Sequence, residues 1–161
     1  MASDVNVTEM LARVVLLQKE SLSALSTPVQ CDAVPYFFHT QELFPYWTNR
    51  PGNATFDDNS EEFDADTYTV IMRLVIGHLT EGYKGGNEAN LYAWIPEIKN
   101  YFNMRDGLEC ATTYTGHMDS LLFAKVTAST GFRAFSQAGF DATQLGTEFT
   151  LTCQFTDTIW S

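Results

Sequence analysis

Between Leu145 and Phe155 apolar and polar residues alternate almost without fault. Leu145, Phe149, Leu151, Cys153 and Phe155, with Thr147 tolerated among them, stand against Gly146, Glu148, Thr150, Thr152 and Gln154. Side chains of a strand point alternately to opposite faces, so the pattern predicts a β-strand with one packed face and one that meets solvent or a partner. A second strand is predicted over 67–79, with Tyr68, Val70, Met72, Leu74 and Ile76 on one face. Its other face, Thr67, Thr69, Ile71, Arg73 and Val75, is apolar enough to be partly covered, which marks a central strand. A third runs over 121–127, and 132–137 either continues it or turns back toward the last strand. The aromatic segment 34–38 is a short strand candidate, limited by Pro35 to an edge or a strand start.

Helical spacing appears twice. Over 6–25 the stripe Val7, Met10, Leu11, Val14, Leu17 and Leu22 follows Asn6 as N-cap and Glu9 at the capping-box position. Over 88–102 the stripe is Leu91, Trp94, Ile95, Ile98 and Phe102. Pro96 falls inside it and removes a backbone donor, so this helix either kinks or begins near the proline. Pro45, Pro51 and Gly52 predict turns around the aromatics of 43–52, residues 81–86 read as a flexible connector, and 103–119 reads as a polar loop. Asp57, Asp58, Glu61, Glu62, Asp64 and Asp66 crowd 57–66, a loop by composition. The order helix, strands, helix, strands predicts an α+β fold: a mostly antiparallel sheet with about two helices packed on one face. Residues 1–161 form a single domain, with an acidic loop at 57–66 and a short C-terminal extension at 156–161.

Composition narrows the function classes. With 161 residues, 45% of them hydrophobic and 14% aromatic, the chain is long enough to bury one sizeable core without disulfide or metal staples. A net charge of -11 with only nine scattered Lys and Arg excludes nonspecific binding to phosphates. Cys31, Cys110 and Cys153 lie far apart with no Cys-x-x-Cys pair, which points to a reduced setting, and Cys153 falls on the apolar face of its strand. The first residues lack a basic-then-apolar leader and no run approaches membrane-spanning length, so a soluble, unsecreted product is expected. The sequons at Asn6 and Asn53 then carry no glycan.

Chemistry is hard to find. Counting from Asp57, an EF-hand needs Gly at the sixth position and Glu at the twelfth, where this chain has Glu62 and Tyr68. His39, His78 and His117 are too far apart in sequence for a paired-imidazole motif, and His78 reads as an edge-of-core residue. There is no nucleophile elbow, and Gly82, Gly85 and Gly86 do not make a phosphate loop because Lys84 precedes the glycine pair. Neither catalytic residues, cofactor nor metal is expected. The aromatics Phe37, Phe38, Phe44, Tyr46 and Trp47 have two readings, core beneath a proline-bent segment or anchors of a protein interface. The polar face of the last strand, Glu148, Thr150, Thr152 and Gln154, is the other candidate interface.

Three stretches together resemble a family. Arg50-Pro-Gly-Asn-Ala-Thr-Phe56 precedes the long strand Asp66-Thr-Tyr-Thr-Val-Ile-Met-Arg-Leu-Val-Ile76, a helix with a Gly-rich lead-in follows, and the chain closes with Ala138-Gly-Phe-Asp-Ala-Thr-Gln-Leu-Gly-Thr-Glu-Phe-Thr-Leu-Thr-Cys153. This order, with its Leu-Gly-x-Glu-Phe-x-Leu ending, is similar to the tail terminator and neck proteins of long-tailed bacteriophages. The resemblance implies a non-enzymatic virion protein, assembled in the host cytoplasm as a ring, usually a hexamer, at the head-proximal end of the tail. Its partners would be further copies of itself, the tail tube protein and the head connector, with no membrane. DNA would pass through the lumen without specific binding, and the six acids of 57–66 would face it. The alternatives are a head-side neck adaptor, a small-ligand binding module favoured by a pocket between sheet and helices, or a small enzyme in which the histidines meet carboxylates.

Overall fold

The computed structural model describes residues 6–22, 45–57, 63–79, 83–85, 88–136 and 143–158. Two helices, α1 (Val7–Ser21) and α2 (Glu88–Asn103), accompany six strands: β1 (Tyr46–Asp57), β2 (Phe63–Leu79), β3 (Tyr83–Gly85), β4 (Leu121–Ser129), β5 (Arg133–Ser136) and β6 (Thr143–Thr158). The strands form one antiparallel sheet in the order β1-β2-β6-β4, with β3 on β2 and β5 on β6. The α+β architecture expected from the sequence is the observed one.

Helix α1 starts where its cap chemistry dictates: the Asn6 side chain accepts the Glu9 backbone N–H at 3.0 Å. Met10, Val14 and Leu17 face inward and meet Leu91, Trp94, Ile98 and Phe102 of α2. Both helices lie on the sheet face formed by Trp47, Val70, Met72, Leu74, Ile76, Phe149, Leu151, Cys153 and Phe155. Trp47 and Phe149, both fully buried, pack with ring centroids 5.9 Å apart. Aromatics of this size bury roughly 150–250 Å² each, worth about 4–6 kcal/mol at ~25 cal/mol per Å². The core also contains polar contacts. Gln18 and Asn49 exchange both amide hydrogen bonds, at 2.6 and 3.0 Å, tying α1 to β1. The Arg13 guanidinium leaves the helix to cap the carbonyls of Leu108 at 3.0 Å and Gly116 at 2.6 Å, so a buried charge organises the loop after α2.

The helix read over 88–102 is α2, which runs through Pro96 from Glu88 to Asn103. Four expectations change. Pro51 and Gly52 lie within β1, not in a turn; the register shifts between Pro51 and Ala54, and β1 pairs on one side only with β2, so a residue without an N–H is tolerated at this bulged edge. The acidic segment is largely strand: β1 reaches Asp57 and β2 begins at Phe63, so Asp57, Asp64 and Asp66 pair across strands, and Asp58, Glu61 and Glu62 lie outside the described residues. Nor do residues 156–158 form an extension, because β6 continues to Thr158 opposite Phe63–Ala65. Part of the expected connector is β3, Tyr83–Gly85, paired with Gly77–Leu79. The segments 23–44 and 137–142, with the 34–38 strand candidate, His39, Phe37, Phe38 and Phe44, lie outside the described residues.

Candidate assembly surface

The helices leave the other sheet face to different chemistry. In register across β2 and β6, Arg73 faces Glu148, Ile71 faces Thr150, Thr69 faces Thr152 and Thr67 faces Gln154. The alternation read from the sequence is real, but its polar half divides into two parts.

Near the β5 end the face is closed by an internal network. Arg73 is 6% exposed and its Nε and Nη2 donate to Glu148 Oε2 at 2.9 and 2.8 Å. Its Nη1 donates to Gln144 Oε1 at 2.7 Å, the Gln144 amide donates to the Tyr46 hydroxyl at 3.1 Å, and the Phe135 ring lies 4.1 Å over the guanidinium. Arg50 approaches Glu148 from β1, with 3.6 Å between Nη2 and Oε1. Burial lowers the Arg73 pKa, and the hydrogen bond and charge of Glu148 act against that shift. Desolvation being the largest contribution, the ion pair offsets the cost of burying the arginine without exceeding it. Glu148 is therefore committed inside the chain. Tyr46 and Trp47 are fully buried, Tyr46 on this face beside Val75 and Trp47 in the main core, so neither stands ready as an exposed anchor. Their indole and phenol surfaces are consumed by folding.

Farther along β6, Thr150, Thr152 and Gln154 are half-exposed, as are Thr67, Thr69 and Ile71 beside them. Thr127 of β4 joins the row, its hydroxyl 3.0 Å from that of Thr152. This patch is polar, with Lys125 of β4 opposite Thr152.

Beyond it the sheet outruns the helices. A 17-residue strand such as β2 spans roughly 56 Å, whereas the 16 residues of α2 span roughly 24 Å. The apolar packing ends at the stack Phe56–Tyr68–Phe155, whose neighbouring centroids are 6.0 and 5.8 Å apart at near-perpendicular ring angles. Past this stack the ends of β1, β2 and β6 form a three-stranded arm. β1 residues 53–56 are exposed, Phe56 at 61%. The arm carries Asp57, Asp64, Asp66 and Asp157, with Asp64 and Asp157 direct register partners. From residue 51 to residue 72, and again from 153 to 161, the sequence has no Lys or Arg. Like charges opposite one another on adjacent strands are destabilising, and these stretches of sequence supply no cation of their own.

Other candidates are slight. A cleft of ≈ 260 Å³ between α2 and β4 is lined by Ile95, Lys99, Val126, Ala128 and Phe149, smaller than the roughly 300–1,000 Å³ typical of ligand pockets. Among the described residues, His78 lies on β2 and His117 on the loop between α2 and β4. No helix among the described residues is long and apolar enough to cross a membrane. Sequence reasoning missed the Arg73–Gln144–Tyr46 network; the only signal for it was an arginine on an otherwise apolar strand face. No protein-family model matches the chain, and no curated protein matches it in sequence.

Proposed function

We propose that this chain is a structural virion protein that assembles into a ring, a hexamer, at the head-proximal end of a bacteriophage tail, where it ends tube polymerisation and docks the head connector. The observation that carries the reading is the acidic arm, a part of the sheet that extends past its own helices on stretches of sequence without Lys or Arg. Such an arm adds little to the stability of an isolated chain, whereas in a ring it serves to line an opening. Duplex DNA carries about one negative charge per 1.7 Å, and repulsion acting within a Debye length of about 8–10 Å keeps a passing duplex off an acidic wall. The half-exposed patch of Thr150, Thr152 and Gln154 is then the surface that meets a neighbouring subunit, and the function lies in interfaces without a catalytic step.

Native mass spectrometry and negative-stain imaging of the purified chain test this. Sixfold rings are expected, and the double substitution Thr150→Lys/Gln154→Lys is expected to reduce oligomer mass while circular dichroism stays unchanged. A chain that stays monomeric or dimeric at every concentration, alone and with tail tubes, refutes the assignment, and rings unaffected by the double substitution refute the subunit surface.

A further inference from the structure

We propose that Asp106, Glu109 and His117 form a binding site for a divalent cation of the zinc or manganese class, which locks the loop between α2 and β4. One ligand atom from each residue lies within 4.8 Å of the others. The loop is already shaped to hold them: the Met118 N–H donates to the Gly107 carbonyl at 2.9 Å, the Ala124 N–H to the Asp106 carbonyl at 2.7 Å, and Arg13 fastens Leu108 and Gly116. These bonds fix the backbone beside every ligand.

The atoms then present themselves as a metal requires. His117 Nε2 lies 2.6 Å from the Leu121 carbonyl, which can only accept, so this nitrogen carries the proton and Nδ1 turns toward the carboxylates. A ring nitrogen fixed on a backbone carbonyl is the usual outer support of a metal-bound imidazole. Nδ1 and Glu109 Oε1 are 3.5 Å apart. That is long for a charge-assisted hydrogen bond, about 2.7–2.9 Å, but close to the ~3.4 Å edge of a tetrahedron with bonds of ~2.1 Å. An imidazolium–carboxylate pair, the competing account, also leaves Asp106 without a part. No Lys or Arg among the described residues pairs with Asp106 or Glu109. Gly107 completes the cradle, since a Cβ there would overlap both Glu109 Oε1 and His117 Nδ1. Any side chain at 107 would fill the space that the ligand atoms share. One nitrogen and two oxygens suit Zn²⁺ or Mn²⁺ better than Ca²⁺, which takes an all-oxygen shell. With Asp106 and His117 exposed, water completes the coordination.

The test uses the full chain, stripped with a chelator, titrated with ZnCl₂ or MnCl₂ alone by calorimetry, with melting curves in parallel. One equivalent is expected to bind with a dissociation constant below about 100 μM and to raise the melting temperature. His117→Ala and Glu109→Gln are each expected to weaken binding at least tenfold, and His78→Ala to leave it unchanged. Glu109→Gln preserves side-chain shape, so its melting curve in chelator separates lost coordination from lost folding. No saturable binding, or binding indifferent to His117→Ala and Glu109→Gln, overturns the site.

Discussion

Replacing Glu148 by Gln would leave the Arg73 guanidinium charged, 6% exposed and deprived of the carboxylate it contacts at 2.8 and 2.9 Å. Breaking one side of a buried ion pair costs about 3–5 kcal/mol, because the remaining charge stays out of water. Here the lower end applies: Arg73 keeps Gln144 at 2.7 Å and the Phe135 ring at 4.1 Å, and the Glu148 side chain is 13% exposed. The expected loss is about 3 kcal/mol. Removing both charges together, Arg73→Met with Glu148→Gln, relieves the burial that lowers the Arg73 pKa and loses the hydrogen bond that Arg73 gives Gln144, about 1 kcal/mol. The double-mutant cycle should therefore show a coupling of about 2 kcal/mol or more. Urea unfolding followed by tryptophan fluorescence measures it, performed in the Thr150→Lys/Gln154→Lys background so that assembly does not make stability depend on concentration. A Glu148→Gln cost below about 1 kcal/mol, the range of surface pairs, or an additive cycle, would refute the buried network.

Two further outcomes follow from single atoms. A Cβ on Gly146 would collide with the Leu74 carbonyl, a rigid backbone group, so Gly146→Ala should cost about 3 kcal/mol; Gly116→Ala, which meets nothing within 4 Å, should stay within about 0.5 kcal/mol, and equal effects would contradict the close approach of β2 and β6. In a Cys31→Ser chain the two remaining thiols should resist an aromatic disulfide reagent at pH 8 and react once urea unfolds the protein, since burial pushes Cys153 up to about 12 and burial followed by the charge of Glu20 pushes Cys110 up to about 11. Because the folded chain holds these protons more tightly than an unfolded thiol with a pKa near 8.5, their contribution to stability is complete below that value and is lost as pH rises toward 12; a flat stability profile over that interval would show that the thiols are not buried.

The parts of the fold that were legible in the sequence are those set by local physics. Asn6 and Glu9 announce the start of α1, the apolar stripe of α2 survives Pro96, and the alternation of β6 gives its face assignment residue by residue. What was illegible depends on distant partners. Six acids within ten residues read as a loop, yet Asp57, Asp64 and Asp66 sit in strands because β1, β2 and β6 satisfy one another's backbone groups whatever the side chains are. Pro51 and Gly52 read as a turn because nothing local reveals that they fall on a bulged edge. Tyr46 is polar at its tip and sits beside prolines, but Gln144, 98 residues away, donates a hydrogen bond to its hydroxyl in the interior. The Asp106, Glu109 and His117 grouping escaped for the same reason. Its spacing matches no helical or hairpin motif, and the residues meet only because Leu108, at φ 56°, turns the chain and Met118 pairs back onto Gly107.

The two ends of the sheet differ in a way that bears on the proposed role. At the β5 end Glu148 sits between Arg73 and Arg50, and Gln144 and Tyr46 complete the chain of bonds. At the arm end, acids accumulate on a part of the sequence without a single cation. Arg73 and Arg50 thus serve internal order at one end, while at the other Asp64 and Asp157 are register partners, a placement of like residues that is unfavourable on adjacent strands. An exposed β1 edge beside such charge also resists pairing with other chains, since charges on edge strands discourage indiscriminate strand addition. Under the proposed role the arm lines a lumen through which a polyanion must pass without sticking, and there repulsion is the useful property.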